Sequence, residues 1–209
     1  MVQDGGWAMW PLGACSLAFF YLLAYCLSQT RPGAFIPFAQ LDQLPTMLRG
    51  GDYQATRDAM NSTETVMGSA FSKAIDKVKP TASEPCRQRL EASLVEQFEN
   101  EATRRLQNIG YLNVIAATAP MIGLLGTVSG MIGAFQTMEM VGMGQPQAFA
   151  GSIGEALITT ATGLVIGIPA MVAYFILRNR LNSRMQETAE VATDLLDAIP
   201  VDASSAGGQ

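Results

Sequence analysis

The sequence predicts an all-α membrane protein, a bundle of three membrane-spanning helices in which long helices extend into the cytoplasm. Its mean hydropathy is +0.21 although 15% of its 209 residues are charged. This mixture is too apolar for an ordinary soluble domain and too charged for a chain buried wholly in lipid. Charged residues are also missing from three long stretches, and the basic residues fall in only two regions.

The three charge-free stretches predict the three spans. Each is longer than the roughly 20 apolar residues that a helix needs to cross a bilayer. The stretches are 5–30, 106–138 and 156–177. Allowing for polar ends, the predicted spanning helices are about 7–28, about 111–137 and about 153–177.

The distribution of basic residues predicts the orientation. All 13 Lys and Arg lie either between Arg31 and Arg105 or from Arg178 onward. Because basic residues stay on the cytoplasmic side, the N-terminus and the loop 138–152 are expected outside, and the middle segment and the C-terminal tail inside.

The first span is predicted to be an uncleaved anchor. A secretory signal peptide begins with a basic region, whereas this chain begins "MVQDGGW", with an acidic Asp4 and no basic residue. Trp7 and Trp10 suit the membrane interface at the outer end of this helix.

The segments outside the membrane also read as helical. Prolines in "RPGAFIPFAQLDQLP" indicate a bent exit from the first span, and 41–74 is polar and helical with a turn at Gly50–Gly51. After a break in "KPTASEP" (79–85), one long helix runs into the second span. Its apolar residues at helical spacing are Leu90, Leu94, Phe98, Ala102 and Leu106. The tail extends the third span, and the final "SSAGGQ" is expected to be disordered.

Four parts follow from these boundaries. They are an N-terminal spanning helix (1–30), a cytoplasmic helical domain (31–107), the second and third spans with their outer loop (108–178), and a cytoplasmic helix with a disordered tail (179–209).

The composition argues against several classes of function. The sequence has no histidine, which removes histidine-based catalytic triads and histidine metal sites. It shows no phosphate-binding glycine loop, no metal-ligand spacing and no nucleophile–base pair, so no cofactor, metal or enzyme activity is expected. With a net charge of −5, the chain lacks the excess of basic residues that is typical of nucleic-acid-binding proteins. Cys15 and Cys26 lie about 16 Å apart along one helix and cannot pair. Cys86 is expected to be cytoplasmic and reduced.

Glycines mark the second span, which contains "APMIGLLGTVSGMIGAF" (119–135). On a helical wheel, small residues share an arc of about 100°. In lipid, close backbone approach supplies association energy, so this stripe is predicted to pack on another helix. Gly126 and Gly130 are spaced four residues apart in this stripe, and the third span carries a second pair of glycines with that spacing, Gly163 and Gly167. The predicted packing residues are Gly123, Gly126, Gly130, Gly133, Gly163 and Gly167, together with Pro120 and with Pro169, where a kink is expected.

Glu155 is the strongest functional candidate, because a carboxylate within a span is costly unless it is paired or hydrated. The alternative is that it lies close enough to the outer boundary to reach water. The wheel places Thr159 and Thr162 on its face and Thr160 on the adjacent face.

Thr127 and Ser129 add hydroxyls to the second span. Here the alternative to a functional role is that each hydroxyl bonds back to a carbonyl one turn earlier in its own helix.

Two segments carry a family resemblance. "IAATAPMIGLLGTVSGMIGAF" followed by "GSIGEALITTATGLVIGIPAMVAYFIL" resembles the MotA/TolQ/ExbB proton-channel family, and most closely its ExbB branch. The resemblance covers about 65 residues, 113–177. Three spans with a large cytoplasmic segment fit ExbB and TolQ, whereas MotA proteins have four spans.

The resemblance implies a site and an assembly. Thr127 of "GLLGTV", Glu155 of "EAL" and Thr160 occupy the family's pore positions, and Thr159 is kept as a second candidate because the wheel puts it beside Glu155. Family members form a homo-oligomeric ring, usually of five subunits, in the bacterial inner membrane. The ring surrounds a single-span ExbD- or TolR-like partner, whose aspartate carries the proton. It turns proton-motive force into work through TonB- or TolA-like proteins.

Three questions stay open at this point. The chain could serve an ExbB-like role in transport or a TolQ-like role in envelope integrity, and a scaffold that conducts nothing would use the same glycine stripes. Protons are favoured over Na⁺ as the ion, because the sequence offers no oxygen cage beyond these hydroxyls and Glu155.

Overall fold

A computed structural model describes residues 6–37, 41, 43–50, 53–63, 65–78, 87–141 and 146–197. All regular structure in these ranges is helical, which confirms the predicted fold class. The elements are α1 (Met9–Gln29), a 3₁₀ turn (Pro32–Ala34), α2 (Leu44–Arg49), α3 (Tyr53–Asn61), α4 (Val66–Val78), α5 (Arg87–Val141) and α6 (Pro146–Asp197).

Three of these helices, α1, α5 and α6, are long and apolar enough to cross a membrane, as predicted. The 55 residues of α5 and the 52 of α6 correspond to lengths of about 80 Å, against about 30 Å for the hydrocarbon core of a bilayer. Both helices therefore continue well beyond the membrane. Pro120 lies inside α5 and Pro169 inside α6, and neither proline ends its helix.

One compact unit contains residues 1–27 and 107–178. Its interior is built largely from small side chains, among them the buried Ala116, Ala119 and Ala170, so that the helices approach closely. Large apolar side chains such as Leu124 and Val165 point outward. Only 17% of the most apolar window of α1, and 28% of those of α5 and α6, is buried within the chain. Lipid or other chains are needed to cover the remainder.

The second unit contains residues 28–106 and 179–209 and has a conventional apolar core. Of the predicted stripe, Leu90, Leu94 and Phe98 are buried, whereas Ala102 and Leu106 are half-buried. The main-chain N–H of Met67 donates to the carbonyl of Phe35 at 3.0 Å, which ties the first turn of α4 to the segment that follows α1.

Arg105 joins α5 to the end of α1 within this second unit. Its Nη1 donates to the carbonyl of Gln29 at 2.7 Å, and its Nε donates to Oε1 of Glu101 at 3.1 Å. The guanidinium carbon lies 5.0 Å from the centre of the Phe35 ring. One side chain thus binds a helix-terminal carbonyl, a carboxylate and an aromatic face.

Several local predictions can be compared with the structure. The 3₁₀ turn gives the bent exit after α1, and Gly50 caps the C-terminus of α2. The described residues of 41–74 form α2, α3 and the first part of α4, with the short connections between them. Neither Cys15 nor Cys26 forms a disulfide in the described part of the chain. The predicted break at 79–85, the second turn glycine Gly51, Cys86 and the tail 204–209 lie outside the described residues.

Candidate functional site

Glycines of α5 face α6 at very short range in the first unit. A Cβ atom on Gly123 would lie 2.9 Å from the Thr159 carbonyl oxygen, and one on Gly126 would lie 2.5 Å from the Thr159 hydroxyl. A Cβ atom on Gly130 would lie 2.8 Å from the Cβ of Ala156. No side chain fits at these positions without displacing the neighbouring helix, so glycine permits the contact.

Two glycines of α6 lie equally close to α5. A Cβ atom on Gly163 would lie 2.6 Å from the Ala119 carbonyl oxygen, and one on Gly167 would lie 2.7 Å from Cγ of Pro120. The same position on Gly167 is 3.1 Å from the carbonyl oxygen of Ala116. Because proline has no N–H, Pro120 cannot bond to that carbonyl, and Gly167 brings α6 up against the place where the helix bond is missing.

These positions show which helix the glycine stripe meets: it is the third spanning helix of the same chain. Two members of the predicted packing set behave differently. A Cβ atom on Gly133 would meet no heavy atom of the described residues within 4 Å beyond its own helix backbone and chain neighbours, and Gly133 lines a cavity instead. Pro169 is exposed and lies within continuous α6, so the packing roles of these two residues stay predictions.

Thr160 makes a hydrogen bond between the two helices. Its Oγ1 donates to the main-chain carbonyl of Gly123 at 3.0 Å. A Cβ atom on Gly123 would lie 3.0 Å from the Cα of Thr160, so a larger residue there would push the hydroxyl away from its acceptor. The bare backbone of the glycine is what makes this bond possible.

Thr159 and Thr127 bond within their own helices. Thr159 is 1% exposed, and its hydroxyl donates to the carbonyl of Ala156 at 2.7 Å. The half-buried Thr127 donates to the carbonyl of Leu124 at 2.6 Å. The alternative of local back-bonding for Thr127 and Ser129 therefore describes the geometry of Thr127 in the single chain, and Thr159 bonds in the same way. Their oxygen atoms still have lone pairs that can accept hydrogen bonds.

Glu155 lies half-buried beside a cavity of about 180 Å³ within the first unit. The cavity is also lined by Ser129, Ser152 and Thr159, with glycines forming part of its wall. In the sequence, Glu155 is the one charged residue between Glu139 and Arg178. Its charge therefore meets polar groups rather than lipid alone. Among the described residues, no cluster of three or more acidic, cysteine or histidine side chains could hold a metal ion.

The wall of this cavity includes residues that the sequence did not suggest. Nε1 of Trp7 donates to the hydroxyl of Ser129 at 3.2 Å. Ala8 is 2% exposed and packs at Gly126, where a Cβ atom would lie 3.2 Å from that of Ala8. No spacing rule relates residue 7 to residue 129, and Trp7 had a sufficient explanation as an interfacial residue.

Gly6 completes this N-terminal wall. It adopts φ +61°, the left-handed region that favours glycine, and a Cβ atom there would overlap the carboxylate of Glu155. The chain thus brings Gly6, Trp7 and Ala8 to the same cavity as the strongest candidate from the sequence.

Comparison with known proteins identifies the family to which this helix arrangement belongs. Residues 62–190, more than half of the chain, match the profile of the MotA/TolQ/ExbB proton channel family. The chain belongs to this family. The matched region contains the glycine contacts between α5 and α6 and Glu155.

Individual relatives agree with the family. The chain is similar to the biopolymer transport protein ExbB of Neisseria gonorrhoeae, with 40% identity over 106 residues, which is 49% of this chain and 48% of that protein. The ExbB of Xanthomonas campestris pv. campestris strain B100 is 40% identical over 85 residues, 41% of this chain and 34% of that one. The Tol-Pal system protein TolQ of Haemophilus influenzae is 31% identical over 133 residues, 63% of this chain and 58% of that one.

A solved structure shares the fold of this family member. The match is to the structure of C. jejuni MotAB, with a TM-score of 0.55 and 20% identity, covering 90% of this chain and 72% of that chain. At this identity the likeness concerns the fold alone. The alignments with the ExbB proteins span a third to a half of their lengths.

Proposed function

We propose that this family member is an ExbB-like proton-conducting stator subunit of a motor complex in the bacterial inner membrane. The observation that carries the proposal is the position of Glu155, beside a polar cavity at the α5–α6 contact of otherwise charge-free spans. The complex would use proton-motive force to energise transport through an ExbD/TolR-like and a TonB/TolA-like partner. No cofactor and no enzymatic step belong to this function.

The hydroxyl groups suit a positioning role in such a pathway. Thr160 and Thr159 use their hydroxyl hydrogens on main-chain carbonyls, which leaves their oxygens as hydrogen-bond acceptors. A protonated carboxylic acid, such as the aspartic acid of a single-span partner, donates one hydrogen bond. The threonines would therefore orient the proton carrier, and Glu155 would be the titratable group that this chain supplies.

The proposed assembly is a homo-oligomeric ring, with five subunits as the expected number. It is supported by the large apolar surface that a single chain leaves uncovered on its spanning helices. The N-terminus would be periplasmic and the C-terminus cytoplasmic, since every Lys and Arg falls in the segments expected inside. The pore would lie between the second and third helices of neighbouring subunits and the partner helices.

Proton flux into liposomes tests the proposal. The chain is reconstituted with its ExbD-like partner, and the flux of the native complex is compared with that of Glu155→Gln, which removes the charge and keeps the size. Glu139→Gln is the matched control, because Glu139 is an exposed carboxylate on α5. We expect Glu155→Gln to reduce the flux to that of liposomes without protein and Glu139→Gln to leave it unchanged. Native flux in an intact Glu155→Gln complex would refute the site.

A non-conducting scaffold is the second candidate, favoured by the tight glycine contact, which would serve assembly equally well. If the chain is a scaffold, Glu155→Gln should change neither assembly nor transport. If it is a stator, Glu155→Gln should abolish energised transport and leave the mass of the assembled complex unchanged.

Within the family, a TolQ-like role in envelope integrity is the alternative to an ExbB-like role. Complementation of bacterial strains that lack either ExbB or TolQ separates the two, since the chain would rescue the strain whose partners it engages.

A further inference from the structure

The N-terminal segment Gly6–Ala8 lies on the cavity beside Glu155 through three consecutive contacts. Ala8 is buried at Gly126, Trp7 bonds to Ser129, and Gly6 lies directly against the Glu155 carboxylate. Three successive residues thus meet two helices whose contacting residues lie more than a hundred positions away in the sequence.

We propose that Gly6–Ala8 is a movable cover of a water-holding cavity at Glu155, and that the Trp7–Ser129 hydrogen bond is its latch. The inference rests on the proposed function, since it assigns control of proton access to Glu155. Trp7 is then a positioning residue, which acts on Glu155 by holding the cover closed.

The cavity has the size and chemistry to hold water. A volume of about 180 Å³ has room for several waters, each of which takes about 30 Å³ in the liquid. A buried water needs two to four polar partners, and the lining supplies the Glu155 carboxylate with the hydroxyl-bearing side chains of Ser129, Ser152 and Thr159. The ligand class of this site is therefore water or a hydrated proton.

The contacts of the cover favour movement at its outer end. Ala8 is 2% exposed and anchored, whereas Trp7 is 57% exposed and its indole N–H donates one long hydrogen bond, of 3.2 Å, to Ser129. Gly6 is in a left-handed conformation that glycine enters and leaves without steric penalty. Segments with few buried contacts open at the low end of the local stability range. Opening would break the Trp7–Ser129 hydrogen bond and expose the Glu155 carboxylate. The carbonyls of Gly6 and Trp7 also accept turn bonds of 3.3 Å within the same helix, from the N–H groups of Met9 and Trp10.

The test measures access to the cavity with a thiol probe. Ser152→Cys places a thiol in the cavity wall of a chain whose native Cys15, Cys26 and Cys86 are replaced. The full complex with its partner is held in lipid nanodiscs, so that both faces meet the reagent. The rate of modification by a cationic methanethiosulfonate is measured with native Trp7, with Trp7→Phe, with Ser129→Ala and with both changes together.

Two controls separate the cover from general loosening. Gly151→Cys gives an exposed thiol on the same helix outside the cavity lining, whose rate should not respond to the latch. Trp10→Phe changes the other tryptophan, which is 81% exposed and does not line the cavity, and it should leave the Ser152→Cys rate unchanged.

Each latch variant should raise the modification rate about fivefold, the effect of losing one ordinary hydrogen bond. The double variant should raise the rate no further than either single change, because both remove the same bond. Trp7→Phe keeps the apolar ring, so a purely packing role for Trp7 would leave the rate unchanged. Unchanged rates in both single variants, or single effects that multiply in the double variant, overturn the cover.

Proton flux of the same variants, reconstituted in liposomes, keeps the two proposals separate. A faster thiol reaction in complexes that never conduct would support the cover and refute the stator. Unchanged thiol rates with flux that still depends on Glu155 would refute the cover and leave the stator intact.

Discussion

The hydroxyl of Thr160 donates to the main-chain carbonyl of Gly123, 3.0 Å away on the facing helix. In an α-helix, that same carbonyl is the acceptor for the main-chain N–H of the residue four positions on, which is Thr127. A carbonyl oxygen has two lone pairs and can accept both bonds. Two threonines that the family resemblance assigns to the pore therefore share one acceptor, which binds the hydroxyl of Thr160 and the main-chain N–H of Thr127.

Thr160→Val should weaken the α5–α6 contact, because it removes the donor and keeps the shape. Hydrogen bonds between membrane helices average about 0.6 kcal/mol with a maximum near 1.7, so the loss should be about 1 kcal/mol. For a chain of this size, that corresponds to a fall in Tm of about 2–4 °C. Thermal denaturation in detergent measures it.

Two further variants make this test specific. Thr160→Ser keeps the donor and should retain most of the native Tm. Thr162→Val is the matched control, since the hydroxyl of Thr162 bonds to Ile158 within α6. Equal shifts for the two valine variants would show that the bond between helices contributes nothing.

Gly163→Ala should be more damaging than its size suggests. The new Cβ would lie 2.6 Å from the carbonyl oxygen of Ala119, which belongs to a helix backbone and cannot rotate away. Overpacking of this kind costs about 1–3 kcal/mol. We expect a lower Tm in detergent and faster proteolysis of the purified chain.

The control for that substitution is Gly154→Ala, also on α6. None of the described residues would contact its Cβ within 4 Å beyond its own helix backbone and chain neighbours, and alanine favours a helix over glycine by up to about 1 kcal/mol in water. Its Tm should stay level or rise. If Gly163→Ala has the same Tm as Gly154→Ala, α5 and α6 do not approach each other as closely at Gly163 as in this structure.

The long helices were predictable because their signals are local. Stretches free of charge set the spans, and the absence of strong breaking signals after residue 86 predicted that α5 would run into the membrane. The spacing of Leu90, Leu94 and Phe98 likewise identified a buried face. Each of these inferences needs only the order of residues along one helix.

The details of the site depend on contacts that no local pattern encodes. The wheel separated Thr159 from Thr160 by face, yet both meet α5, because Gly123 and Gly126 admit residues from a wide arc of α6. The contacts of Trp7 with Ser129 link residues 122 positions apart. The glycine stripe predicted that a helix would pack there, but the sequence could not say which one.

Arg105 should contribute to stability through geometry as well as charge. Its side chain is 15% exposed and bonds to the Gln29 carbonyl and to Glu101 beside the Phe35 ring. Arg105→Ala should lower the stability by about 1–3 kcal/mol, since it leaves hydrogen-bonding groups without their charged partner. Arg105→Lys should recover only part of this stability, because a lysine ammonium cannot reproduce the planar, two-pronged hydrogen bonding of the guanidinium group. Thermal denaturation at two salt concentrations measures both.

Lys77→Ala provides the contrast for Arg105. Lys77 pairs with Glu96, but both side chains are more than half exposed, and solvent-exposed ion pairs contribute about 0–1 kcal/mol. Its effect should be small and should fade at high salt. A loss for Lys77→Ala as large as that for Arg105→Ala would contradict the special role of the Arg105 contacts.

Thr127→Val separates a pore role from local back-bonding. Thr127 and Thr118 are both half-buried on α5, and both hydroxyls bond to carbonyls of their own helix, at 2.6 Å to Leu124 and 2.8 Å to Val114. Their valine variants lose the same kind of bond, so a structural role alone predicts equal and small effects on flux. If the Thr127 oxygen accepts a hydrogen bond from the proton carrier, its variant should lose proton flux in liposomes while Thr118→Val keeps it. Equal flux in the two variants would move the pathway away from Thr127 and leave Glu155, Thr160 and Thr159 as its candidates in this chain.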